Sequence, residues 1–100
     1  MTQYTLEYFI EKFDKIPDEE WCVDRFESLD HTKKCALGHC GMDSDWDTDE
    51  SLALRGILYR YNLPDPVLIN DDSTGEYGDT PRERILNVLS LIAAIKECGE

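Results

Sequence analysis

Sulfur and imidazole are concentrated in one stretch of this 100-residue chain, Cys35-Ala36-Leu37-Gly38-His39-Cys40-Gly41, with His31 just ahead of it and Cys22 further upstream. His31, Cys35 and His39 fall at i, i+4 and i+8, which on a continuous helix would line them along one face. With Cys40 they form a candidate zinc set, because zinc takes thiolate and imidazole ligands in tetrahedral sites. Two features weigh against it. Cys35 and Cys40 are separated by four residues, at the edge of the usual pair spacing, and Lys33 and Lys34 place positive charge beside the would-be ligands. The other chemistry open to these residues is nucleophilic. A thiolate at a helix N-terminus is stabilised by the helix dipole and here by Lys33 and Lys34, with His39 or His31 as base and Asp30 or Asn70 to orient it. Yet Cys35 and His39 on one helical turn stand side by side, with little room for a substrate between them. A short chain also has little material for a walled cleft. The residues are therefore read as packing material: Cys35 and Cys40 as small buried hydrophobes and His39 as a hydrogen-bonded core or rim histidine. On that reading there is no catalytic residue and no cofactor. Zinc on His31, Cys35, His39 and Cys40 is the alternative, and a cysteine hydrolase the third.

The second concentration is of carboxylates. The chain has 22 acids against 10 bases, a formal charge of −12. That balance disfavours nucleic acid and anionic membranes as direct ligands, since phosphate binding needs clustered Lys and Arg. One cluster, Asp43, Asp45, Asp47, Asp49 and Glu50, surrounds Trp46; another, Asp71, Asp72, Glu76 and Asp79, surrounds Tyr77. Neither is a calcium loop of the EF-hand kind. The first has Thr48 where glycine is required and Leu54 where the bidentate glutamate belongs; the second has Gly75 in place but ends on Pro81. Each cluster precedes a helix, so part of its charge complements a helix dipole. The remainder, around an exposed aromatic, has the make-up of a protein-binding patch for a basic host surface.

These groups must be held by helices. Thr5 can cap a first helix over about residues 5–15, where Leu6, Phe9, Ile10, Phe13 and Ile16 form one apolar stripe before Pro17 stops it. Pro17 to Glu20 reads as a turn, and Trp21 as a core anchor. A short helix through the Cys35 stretch ends at Gly41. A third runs from about Thr48 to Tyr61, with Asp47 and Glu50 at capping-box spacing. Val67, Leu68 and Ile69 are too brief for a helix and are expected buried in extended form. In Thr80-Pro81-Arg82-Glu83 a cap, a first-position proline and a box glutamate open the last helix. That helix is apolar around more than half its circumference and so central. Asn70 and Asp71, just after a buried run, are suited to satisfying orphan N–H groups at a neighbouring helix start, the one near Cys35. The expected fold is all-α: one compact domain, residues 1–100, of about four helices with long acidic loops. No apolar run approaches the ~18 residues of a membrane span, and Met1 to Lys15 lacks the pattern of a signal peptide. The four cysteines are accordingly expected as thiols or ligands in a cytoplasmic protein.

Taken in order, Trp21-Cys22, Cys35 to Gly41, Ile69-Asn70-Asp71 and Thr80-Pro81-Arg82-Glu83-Arg84-Ile85-Leu86 resemble the motifs of a group of small bacterial and phage proteins known as a domain of unknown function. The resemblance spans about residues 6–90. It implies an α-helical domain, often phage- or prophage-encoded, and carries no established activity with it. In those relatives glycine commonly follows Asn-Asp, where this chain has Asp72. The function expected is that of an accessory protein acting by binding a host protein, with its basic or nucleic-acid-binding surface as the target.

Overall fold

The computed structural model describes residues 4–23, 27–28, 32–42 and 47–99. Among them are five α-helices: α1 (Leu6–Asp14), α2 (Ala36–His39), α3 (Asp49–Arg60), α4 (Pro66–Asp71) and α5 (Pro81–Gly99). A 3₁₀ turn, Asp18–Glu20, follows α1, and no strand is formed among the described residues. The fold is the all-α bundle that the periodicity predicts, with one helix more.

α1 starts where Thr5 Oγ1 accepts a hydrogen bond from Tyr8 N at 3.1 Å, and it buries Leu6, Phe9 and Phe13. Trp21 then closes the turn behind it. Its ring meets Phe13 edge-on at 5.4 Å, and its Nε1 donates to Ile16 O at 3.2 Å. One apolar body with a satisfied polar tip thus pins the loop to the helix. Backbone bonds from Cys22 N to Lys34 O and from Lys34 N to Glu20 O lay the approach to α2 alongside. α2 is a single turn, ended by Gly41 at φ +85°, a conformation that costs a side-chain-bearing residue strain.

The start of α3 differs from the expected box by one residue. Thr48 Oγ1 accepts from Ser51 N at 3.1 Å, and Ser51 Oγ accepts from Thr48 N at 2.8 Å. Short hydroxyls reach these backbone groups, while Asp47 and Glu50 have basic partners elsewhere. Leu54 and Leu58 then face the core.

The segment Val67 to Ile69 is helical, not extended, and since a helix turns successive side chains to different sides Ile69 is buried, Val67 half-buried and Leu68 exposed. Two ends supply what a six-residue helix lacks on its own. At its start Asp65 Oδ1 accepts from Val67 N at 2.9 Å, and Pro66 takes the first helical position. The other oxygen of Asp65 accepts from the Tyr59 hydroxyl and lies 3.1 Å from Arg55 Nε, close enough for charge attraction though not aligned as a hydrogen bond. At its end the orphan carbonyls are taken by Arg84 of α5, whose Nε donates to Ile69 O and whose Nη2 donates to Asn70 O at 2.6 Å. Sequence-local rules do not see a C-terminal cap that arrives from another helix.

α5 is central, packed against α1, α2 and α4, with Ile85, Val88, Leu89 and Ile92 buried. Its apolar arc is narrower than expected, because Leu91 and Ile95 are exposed. The Asn70 side chain, fully buried, links α4 to two further segments: Oδ1 accepts from Ala36 N at 3.1 Å, and Nδ2 donates to Cys22 O at 2.9 Å. The expected service to the helix start near Cys35 is therefore what this side chain performs. Replacing Asn70 with Ala strips the acceptor from a buried N–H and a donor from a carbonyl. Urea unfolding should show a loss of about 2–3 kcal/mol. Asn70→Asp, which keeps the acceptor but turns a buried carboxylate oxygen onto Cys22 O and Asp71 Oδ1, should lose at least as much, and an unchanged midpoint in Asn70→Ala would contradict the assignment.

Candidate functional site

The sulfur and imidazole groups come first. Cys35 is the N-cap of α2 and its Sγ accepts from Gly38 N at 3.4 Å. Two effects oppose each other there. Burial raises the thiol pKa and the backbone donors lower it; burial wins, so Cys35 stays protonated at neutral pH. Burial pushes the Cys40 thiol up further, with the Glu50 carboxylate adding to it. The imidazole of His39 stands edge-on to Trp21 with ring centroids 4.7 Å apart, and its Nε2 lies 3.0 Å from Glu20 O, to which the Nε2–H tautomer donates. Burial holds its pKa down at about 4. A protonated thiol beside an imidazole committed to a carbonyl is not an activated nucleophile. Among the described residues no group of three or more His, Cys, Asp or Glu is placed to hold a metal ion. His31, a member of the expected zinc set, lies outside them.

The carboxylates divide by what they touch. Asp43, Asp45 and Trp46 lie outside the described residues. Asp47 receives Arg55 Nη1 on both oxygens, at 2.7 and 2.8 Å, and Ser51 Oγ at 3.1 Å. Glu50 is paired with Lys12 of α1. Glu50 thus joins α3 to α1 and Asp47 is held to α3, and Asp49 alone of the described first cluster is exposed with its charge unpaired. In the second cluster Asp71 accepts from Asn70 Nδ2 at 2.8 Å. Asp72 accepts from Thr74 N and Thr74 Oγ1, both at 3.0 Å, which holds its carboxyl below the usual range. Glu76 and Asp79 are exposed. Tyr77 is half-buried against the core, not an exposed anchor among acids. Its carbonyl accepts from Asn87 Nδ2 at 2.7 Å.

The second loop does have an acidic neighbour, and it is one the sequence pattern did not single out. Thr80 Oγ1 donates to Asp18 Oδ1 at 3.1 Å, and Arg82 Nη2 donates to Asp14 O and Oδ1. The exposed acids of the 3₁₀ turn, Asp18, Glu19 and Glu20, are thereby set beside the start of α5, where Asp79 and Glu83 are also exposed. The bonds joining the two run across 62 and 68 residues of sequence, so only the local acidity of each was legible. Gly78, at φ +150°, lets the loop close over α5: a Cβ there would come within 3.2 Å of Arg84 N. Between Val23, Asp71, Ser73, Asp79, Pro81 and Arg84 lies an open cleft of about 560 Å³. The base among its described lining residues, Arg84, is spent on the carbonyls of Ile69, Asn70 and Gly78.

The histidine makes this end of the molecule pH-sensitive. Because its pKa falls from 6.5 to about 4 on folding, the unfolded chain takes the proton more readily between those values. The contribution is fully present above pH 6.5 and is lost as pH falls through 4. His39→Gln keeps a donor for Glu20 O and removes the titration. Urea midpoints measured at steps from pH 7 to 4 should therefore fall less steeply in His39→Gln than in the wild type, and parallel curves would refute the burial argument. Comparison with protein-family models, with curated proteins and with solved structures finds no match to this chain, so its function is read from this geometry.

Proposed function

We propose that this is a non-enzymatic cytoplasmic accessory protein, phage- or prophage-encoded, that binds a basic surface of a host protein, a nucleic-acid-binding face included. The observation carrying the proposal is the joining of two acidic segments, the Asp18–Glu20 turn and the 71–79 loop, on one side of the α5 N-terminus. Among the described residues most bases near this face are engaged, while Lys33 and Lys34 stand beside Glu20. Lys12, Lys15, Arg55 and Arg82 each pair with a carboxylate, and Arg84 is buried among carbonyls. The acids that face solvent here outnumber the bases beside them, and such an excess of negative charge steers and selects a basic partner more than it tightens the complex. The expected binding residues are thereby narrowed. Asp47, Glu50 and Tyr77 serve the fold; Asp18, Glu19, Glu20, Glu76 and Asp79 are the recognition set, with Asp71 and Asp72 shaping the loop between them. A non-catalytic role is supported by the protonated state of Cys35 and Cys40 and by the commitment of His39.

The test compares capture of bacterial proteins by immobilised wild type and by a variant carrying Asp18→Asn, Glu19→Gln, Glu20→Gln, Glu76→Gln and Asp79→Asn, with Asp49→Asn as control. Asparagine at position 18 keeps an acceptor for Thr80. The same partner should be held by wild type and by Asp49→Asn, released as salt rises from about 0.05 to 0.5 M, and lost by the five-site variant. Retention by that variant, or indifference to salt, would defeat the proposal.

A further inference from the structure

A second concavity is lined by none of the residues of the acidic face. It opens between the first turn of α1, the outer face of α3 and the C-terminal half of α5, and holds about 430 Å³. That is the lower part of the range of small-molecule sites, about 300–1,000 Å³. Its floor is apolar: Leu6 and Ile92 are buried, and Ile57 is half-buried beside them. Tyr4 and Tyr61 add aromatic surface. At its edge stand two exposed bases, Arg60 and Lys96, neither of them in an ion pair among the described residues. Among the described residues Glu7 is the one lining acid. In a chain of charge −12, a groove with two unspent cations over an apolar floor runs against the general field.

Gly56 supplies an independent observation. It lies well inside α3, where glycine is the least favourable residue short of proline, and it lines this groove. No packing reason requires it, since a Cβ built there would meet nothing within 4 Å. Any larger side chain at this position would gain helix stability and grow into the open space. The glycine leaves that space vacant at the helix's expense.

We propose that this groove is a binding site for a small amphiphilic anion, an apolar chain or ring ending in a carboxylate. The apolar part lies on Leu6, Ile57 and Ile92, and the carboxylate meets Arg60 and Lys96 at the rim. Charge complementarity selects this occupant over a neutral or cationic one, because every unpaired base at the groove favours an anion while the rest of the protein repels it.

The full chain, isotope-labelled, is titrated separately with octanoate and octylammonium at equal ionic strength and followed by amide chemical shifts. Octanoate should shift the Gly56, Ile57 and Ile92 amides saturably and bind at least about tenfold more tightly than octylammonium. Bulk electrostatics of a −12 protein predicts the reverse order. Gly56→Leu should abolish the saturable shifts while raising the thermal midpoint. The double variant Arg60→Met, Lys96→Met should bind the two amphiphiles alike. Equal or tighter binding of octylammonium by the wild type, shifts centred elsewhere, no saturable binding, or octanoate affinity unchanged in Gly56→Leu would each overturn the proposal.

Discussion

The Asn70 carboxamide is the point through which the rest of the molecule is connected. Its oxygen serves the first N–H of α2, its nitrogen serves the chain behind Trp21, and its own backbone carbonyl receives the Arg84 guanidinium. A buried amide has a fixed number of donors and acceptors, and each bond here fixes the position of a different segment. The interaction is specific in a way apolar contact is not. Ile69 and Leu37 could pack in several registers, but one register alone satisfies a side chain that would otherwise be buried unpaired.

From that constraint the distribution of charge follows. Arg84 is inside because the end of α4 needs a donor, and Lys12, Arg55 and Arg82 are tied to carboxylates that join α1 to α3, α3 to α4 and α1 to α5. Basic residues thus act as fasteners between helices, whereas the surplus of acids is left outside. Such pairs at half-exposed positions contribute little stability each, so their effect is on geometry and on the sign of the remaining surface. Arg60 and Lys96 depart from that pattern, bordering an apolar groove instead of a carboxylate.

Much of the fold could be read along the chain because its causes are local. The stripe Leu6, Phe9, Phe13 and the Thr80-Pro81 start are written within a few residues of where they act. The role of Asn70 was legible for another reason: an orphan helix start and a short amide after a buried run are complementary, and the chain has few other candidates. What could not be read depends on distant partners. Helix α4 is capped by Arg84, and the acidic turn at Asp18 is brought to the 71–79 loop through Thr80 and Arg82. The alternating acids of the first cluster looked like a surface, but Glu50 has its partner on α1 and Asp47 is drawn to Arg55 two turns into α3.

The claim that one buried carboxamide holds these segments together is tested most directly by native-state hydrogen exchange at the Ala36 amide. A first-turn amide of a four-residue helix ordinarily exchanges freely, having no partner within its helix. If the Asn70 side chain binds it as part of a single cooperative unit, its opening free energy should equal that of the Leu89 amide in the centre of α5 and fall with denaturant at the same slope. Exchange of Ala36 through a local opening far below that of Leu89, with no dependence on denaturant, would contradict the account.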